Sequence, residues 1–139
     1  MKPLAGTLQQ SLEEMFGPRV TFDDVERMLY SRDMSSLPSL VRPLVGHALA
    51  AGVVQPQTEE QGIKLAAFSR IHNVPLVPHG KATSGYGGVV PVKGGLVVDF
   101  AWMNQVLAID PEARTATVQP GVVWQKLEQA LNKLGRKPR

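Results

Sequence analysis

Pro78-His79-Gly80-Lys81-Ala82-Thr83-Ser84-Gly85-Tyr86-Gly87-Gly88-Val89-Val90-Pro91-Val92-Lys93-Gly94-Gly95 holds six of the chain's thirteen glycines in eighteen residues. Glycine is used where the backbone must take positive φ or where another molecule lies against it, and it costs conformational entropy elsewhere. A loop this rich in glycine predicts a polar ligand resting on its backbone. Successive main-chain N–H groups form an anion-binding concavity, to which Thr83 and Ser84 add hydroxyl donors and Lys81 a positive charge. The donor set suits a phosphate-bearing ligand.

Two familiar phosphate loops are excluded by residue. A P-loop closes on Gly-Lys-Ser/Thr, whereas Gly80 to Gly85 is followed by Tyr86 and Gly87. The dinucleotide fingerprint needs a helix directly after its glycines, whereas Pro91, two more glycines and an apolar strand follow here. The stretch reads as a strand-loop-strand cradle.

Outward from the loop, Leu76-Val77 before it and Leu96-Val97-Val98-Asp99-Phe100 after it are short apolar runs that read as strands. Val53-Val54-Gln55-Pro56 reads as another, followed by Thr58-Glu59-Glu60-Gln61, which has the form of a capping box. The helix it opens is expected to bury Ile63, Ala66, Ala67 and Ile71 and to end at Asn73 before Pro75. Strand, helix, strand makes a βαβ unit with parallel strands, and ligands in parallel sheets bind beyond the carboxyl ends, where this loop starts.

Upstream, Leu4, Leu8, Leu12 and Met15 recur at helical spacing, with Gly17-Pro18 as a stop. Thr21 and the acids Asp23, Asp24 and Glu26 open a second helix with an expected inner face of Val25, Met28 and Leu29. Ser31 to Pro43 reads as a surface connection. Downstream, Val106 to Ile109 and Thr115 to Gln119 flank Asp110-Pro111-Glu112-Ala113, a hairpin about a type I turn with one arm wet on one face. A last helix carries Trp124, Leu127, Ala130, Leu131 and Leu134, and Gly135 stops it. Trp102 and Trp124 are expected to fill core space and Tyr86 to cover the loop.

The length of 139 residues and a hydrophobic content of 43% bound one compact unit with a core. With no cysteine, disulfides, thiolate catalysis and thiolate metal sites are excluded within this stretch. His47, His72 and His79 show no ligand spacing. The net charge of +3 attracts anions, but without a basic stripe or aromatic platforms it does not make a nucleic-acid binder. No run approaches the length of a membrane span, and the expected location is the cytoplasm.

Several motifs in order resemble one family. They are Val54-Gln55-Pro56-Gln57-Thr58-Glu59-Glu60, Val74 to Ser84, Gly87-Gly88, Gly94-Gly95, Val98-Asp99, Met103-Asn104 and Val118-Gln119-Pro120-Gly121-Val122. The chain from about Val53 to Gly135 is similar to FAD-linked oxidases of the vanillyl-alcohol oxidase type, in particular their glycolate oxidase and D-lactate dehydrogenase branch. The resemblance implies an α+β fold: the first subdomain of an FAD-binding domain, a small βαβ-based sheet plus hairpin, flanked by helices. It implies that residues 1–43 form an N-terminal helical segment and connection, and 44–139 the first half of the FAD-binding domain.

Carried over residue by residue, the resemblance gives cofactor-binding roles to His79, Gly80, Lys81, Ala82, Thr83, Ser84, Gly85, Gly87, Pro120, Gly121 and Val122. It gives no catalytic and no metal-binding residue within this stretch. The chain departs from the family pattern at His79, where the family usually has Arg, and at Ala82, where it usually has Gly. His79 does not stand where related branches attach flavin, so the FAD is expected to be noncovalent. The implied function is the FAD-binding portion of an oxidoreductase for a 2-hydroxy acid of glycolate or D-lactate type, with this portion inactive alone. The competing reading is a non-enzymatic domain of the same fold that binds another phosphate compound or a protein. The implied partners are a second half of the FAD domain, a substrate domain and an iron-sulfur electron acceptor. Self-association through an uncovered apolar face is also expected.

Overall fold

The structure is a computed structural model and describes residues 4–32, 49–83 and 85–134. Helix α1 (Gly6–Phe16) ends in a 3-10 turn (Gly17–Arg19), which leads into strand β1 (Val20–Thr21) and helix α2 (Asp24–Tyr30). After β2 (Gly52–Val54) come α3 (Glu59–His72), β3 (Leu76–His79) and β4 (Leu96–Asp99). The hairpin β5 (Val106–Asp110) and β6 (Thr115–Val118) and helix α4 (Trp124–Lys133) complete the described chain. The α+β class implied by the family resemblance holds. The expected boundary at 43 and 44, most of the connection up to Pro43, and the stop at Gly135 lie outside the described residues.

The main sheet has the order β1-β2-β4-β3, with β1 antiparallel to β2 and the other three strands parallel. The βαβ unit forms with parallel strands, but β4 is inserted between β2 and β3. Every residue of β4 is buried, as is every residue of β2, so the two apolar strands take the two places paired on both edges. Because β4 is parallel to its neighbour β3, residues 80–95 must run from the carboxyl end of the sheet back to its amino end. That return accounts for the loop's length.

Side chains alternate across the sheet. Val54, Leu96 and Val98 meet Leu12 and Phe16 of α1 and Leu65 and Phe68 of α3 on one face. On the other, Val53 and Val97 pack with Ala50, Tyr30 and Val77. The N-terminal helix thus shares a core with the βαβ unit.

Local signals are met where chemistry is local. The Thr58 hydroxyl accepts from the Gln61 N–H at 3.3 Å, and the Gln61 side chain accepts from the Gln57 N–H at 2.7 Å. Asn73 ends α3 in the left-handed conformation, with φ 53°. Asp110 accepts from the N–H groups of Glu112 and Ala113, both at 2.9 Å, and tightens the hairpin turn.

Four expected faces are corrected. Helix α3 buries Leu65 and Phe68, and Ile63, Ala66, Ala67 and Ile71 are exposed. The helix is apolar on two sides, and the side with Leu65 and Phe68 packs against Val54, Leu96 and Val98 of the sheet. Helix α2 buries none of its residues, and Val25, Met28 and Leu29 face outward. Polar ties hold it instead: the Asp23 carboxylate caps Val25 and Glu26, and Arg27 Nε donates to the Ala50 carbonyl at 2.6 Å. Neither face of β6 is buried, because the hairpin is a separate two-stranded sheet with α4 beside β5. Trp124 is 78% exposed and Trp102 is half-exposed, stacked under the Arg19 guanidinium at 3.9 Å, so neither fills the core.

Candidate functional site

The carboxyl ends of β3 and β4 place His79 beside Asp99. His79 is 3% exposed, and its Nε2 bonds to the Val89 carbonyl at 2.8 Å. This contact closes the neck of the loop, so that residues 80–88 form an excursion at the carboxyl edge and residues 90–95 make the return. The excursion holds the predicted positions Gly80 to Gly87, apart from Ser84, which lies outside the described residues.

Among the described residues, the N–H groups of Gly80, Lys81, Ala82, Thr83 and Gly85 make no hydrogen bond within the protein. Buried or not, such donors are satisfied by water or by a ligand. Lys81 and Thr83 are exposed beside them. A Cβ built at Gly85 or Gly88 would meet nothing within 4 Å, so no contact with the described residues demands these two glycines, whereas Gly87 is called for by its own backbone at φ 75°. Free donors, open glycines, a hydroxyl and an ammonium group fit a diphosphate.

The last two glycines of the stretch do different work. Gly95 has φ 88°, and a Cβ there would lie 2.1 Å from the Pro75 carbonyl oxygen, at the amino end of the strands. The second predicted segment reaches the site at Pro120, whose carbonyl lies 3.8 Å from a Cβ built on Gly80. Gly121 is buried against Phe100 and Met103, and Val122 is half-buried. Tyr86 is 97% exposed and does not cover the loop.

Ala82 adopts φ 50°, in the region that glycine tolerates and a Cβ does not. This is the position at which the family resemblance expects glycine. Ala82→Gly is therefore expected to stabilise the chain by about 1 kcal/mol, the relief of strain exceeding glycine's extra unfolded-state entropy. Thermal unfolding checks it, and a lowered midpoint would contradict the loop conformation.

Sequence reasoning missed the polar floor of the site. Asp99 is 5% exposed, and its Oδ2 accepts from Tyr30 Oη at 3.0 Å and Gln55 Nε2 at 2.8 Å. Its Oδ1 accepts from the Ala101 N–H at 3.0 Å. Burial, then the Asp99 charge and hydrogen bond, raise the Tyr30 phenol above its ordinary pKa. A lone Asp closing an apolar strand was the available signal. Its partners lie 69 and 44 positions away and could not be paired with it by spacing.

A cavity of about 320 Å³ opens over this floor, lined by the loop start and by the end of α2. Among the described residues, no helix is long and apolar enough to cross a membrane.

A family described as an FAD binding domain matches residues 50–139. Glycolate oxidase subunit GlcD of Bacillus subtilis is 35% identical over 130 residues, which are 92% of this chain and 26% of that protein. The mitochondrial D-lactate dehydrogenase [cytochrome] of Arabidopsis thaliana is 31% identical over 134 residues, 96% of this chain and 22% of that protein. Among solved structures, an alkyldihydroxyacetonephosphate synthase superposes with TM-score 0.78 at 26% identity, covering 96% of this chain and 28% of that one. The chain thus spans about a quarter of the length of these relatives. The cradle reading and the family resemblance converge: the cofactor is FAD, and the chain belongs to the FAD-binding domain family of FAD-linked oxidoreductases.

Proposed function

We propose that the chain is the diphosphate-holding part of a noncovalent FAD site in an oxidoreductase that acts on a 2-hydroxy acid of glycolate or D-lactate type. The observation that carries the reading is the row of free N–H groups at Gly80, Lys81, Ala82, Thr83 and Gly85, next to glycines that face open space. FAD supplies the redox chemistry, as an acceptor of hydride from the hydroxy carbon of the substrate. The chain's own residues bind and orient. The loop amides and the Lys81 ammonium meet phosphate oxygens, the Thr83 hydroxyl donates to one, and His79 keeps the loop neck closed through Val89. His79 Nε2 is taken up by the Val89 carbonyl, in keeping with a cofactor that makes no bond to this nitrogen.

The substrate class is supported by relatives named for glycolate and D-lactate, both 2-hydroxy acids. An alkyldihydroxyacetonephosphate synthase of Dictyostelium discoideum is also similar, at 28% identity over 131 residues, so the cradle serves more than one chemistry.

Titration of the chain with FAD, followed by flavin fluorescence, tests the reading beside Gly85→Trp. That glycine faces open space without positive φ, so the indole blocks the cradle without straining the backbone. Saturable binding is expected in the wild type, with affinity reduced at least about tenfold in the variant at unchanged thermal stability. Equal affinity in the two chains would move the diphosphate off this loop.

A further inference from the structure

The cavity at the carboxyl ends of β3 and β4 is lined by two unlike groups of residues. Gly80, Lys81 and Ala82 come from the glycine loop, and Leu29, Tyr30 and Arg32 from the end of α2 and the residues just beyond it. The second group lies outside residues 50–139, which the FAD-binding domain model matches. It is nevertheless built onto the same frame. Tyr30 is tied to Asp99 at 3.0 Å, and Arg27 Nε to the Ala50 carbonyl at 2.6 Å. Ser31 is buried, donates from Oγ to the Arg27 carbonyl at 2.6 Å and accepts from the Ala50 N–H at 2.8 Å. Arg32 follows directly on this locked residue and is exposed to the cavity.

Among the described residues, Arg32 has no hydrogen bond and no ion pair. The nearest acid in the cavity, Asp99, has both oxygens engaged by Tyr30, Gln55 and the Ala101 N–H. Two cations, Arg32 and Lys81, therefore line one small cavity against a single carboxylate already satisfied by three donors. Cations left unpaired around free backbone donors are an anion site, and a guanidinium beyond an ammonium adds a planar, two-pronged donor suited to phosphate.

We propose that Arg32 is the second cation of the cofactor site, contacting the diphosphate of FAD together with Lys81, so that the N-terminal segment and the glycine loop both hold the ligand. The inference rests on the reading of the loop as the diphosphate cradle. It makes the N-terminal segment part of the binding site in addition to part of the core.

The test is calorimetric titration of the 139-residue chain with FAD, and with riboflavin as a phosphate-free probe, in the wild type and in Arg32→Ala, Arg32→Lys and Arg70→Ala. Arg70 carries the same charge in the last turn of α3, which leads to the amino end of β3 and so lies away from the cavity. Arg32→Ala is expected to weaken FAD about tenfold, as for loss of one hydrogen-bonded charge, with Arg32→Lys recovering part of it. Arg70→Ala is expected to change FAD affinity less than about twofold, and riboflavin affinity to be the same in all four chains. Circular dichroism melts establish that each variant is folded. Saturable wild-type binding with Arg32→Ala unchanged, or with Arg70→Ala equally weakened, overturns the role of Arg32 and leaves the loop reading standing. A wild-type chain that does not bind FAD overturns both.

Discussion

Gly121→Ala is expected to destabilise the chain by about 3 kcal/mol or more, the upper range for forcing extra volume into packed structure. A Cβ at this position would lie 1.9 Å from the Phe100 carbonyl oxygen, 2.8 Å from its carbon and 2.9 Å from the Met103 carbonyl oxygen. All three are backbone atoms, so no rotamer change makes room. The Gly121 N–H donates to the Met103 carbonyl at 2.8 Å, which presses the two segments together. Moving 118–122 away from 100–103 would break that bond and withdraw Pro120 from the loop start at Gly80. Denaturant unfolding measures the loss, and FAD affinity of the folded fraction should fall with it. A change below about 1 kcal/mol would mean that the close approach of these segments is not present in solution.

Asp99→Leu is expected to cost about 3 kcal/mol, because it leaves the half-buried Tyr30 Oη and Ala101 N–H without their acceptor and Gln55 Nε2 with Tyr30 Oη alone. Asp99→Asn keeps one acceptor oxygen and should cost less than the leucine variant. The asparagine variant also removes one of the causes that raise the Tyr30 phenol. Burial, the first cause, remains, so Tyr30 should ionise at lower pH than in the wild type yet still above its ordinary 10.0. A folded-state pKa raised in this way contributes stability that is present below the unfolded value and lost as pH climbs through the folded one. The wild type should therefore lose stability above pH 10 through Tyr30, and Asp99→Asn should show less of that loss. Tyrosinate absorbance against pH reads the shift directly. An unchanged Tyr30 titration in Asp99→Asn would refute the contact between α2 and the end of β4.

Features set by neighbours in sequence were legible. The stop at Gly17, the Thr58 cap, the helix end at Asn73 and the Asp110 turn each depend on a few adjacent residues, and each forms. Features decided by competition were not. Helix α3 carries apolar residues on two sides, Ile63 and Ile71 against Leu65 and Phe68, and spacing alone does not say which pair the sheet receives. Helix α2 looked amphipathic but is held by Asp23, Arg27 and Tyr30, whose partners are polar and mostly distant. The burial of β4 was legible in its apolar run, but its place between β2 and β3 was not, because strand order depends on pairing between distant segments.

The site divides in the same way. The glycine excursion was visible because glycines, hydroxyls and a lysine crowd together, and the structure leaves their donors free. His79 proved to be the latch of the loop, which needed the fold to bring Val89 back to it. The floor made by Tyr30, Gln55 and Asp99 joins three parts of the chain and had no local signature.

The central claim is that the amides of residues 80–85 hold the diphosphate of FAD. Amide chemical shifts of the 15N-labelled chain, recorded with FAD, with ADP and with riboflavin, test it most directly. The account predicts that FAD and ADP displace the Gly80, Lys81, Ala82, Thr83 and Gly85 signals in a saturable way, and that riboflavin, which has no phosphate, leaves them in place. Displacement by riboflavin equal to that by FAD, or no displacement by either phosphate compound, would contradict it.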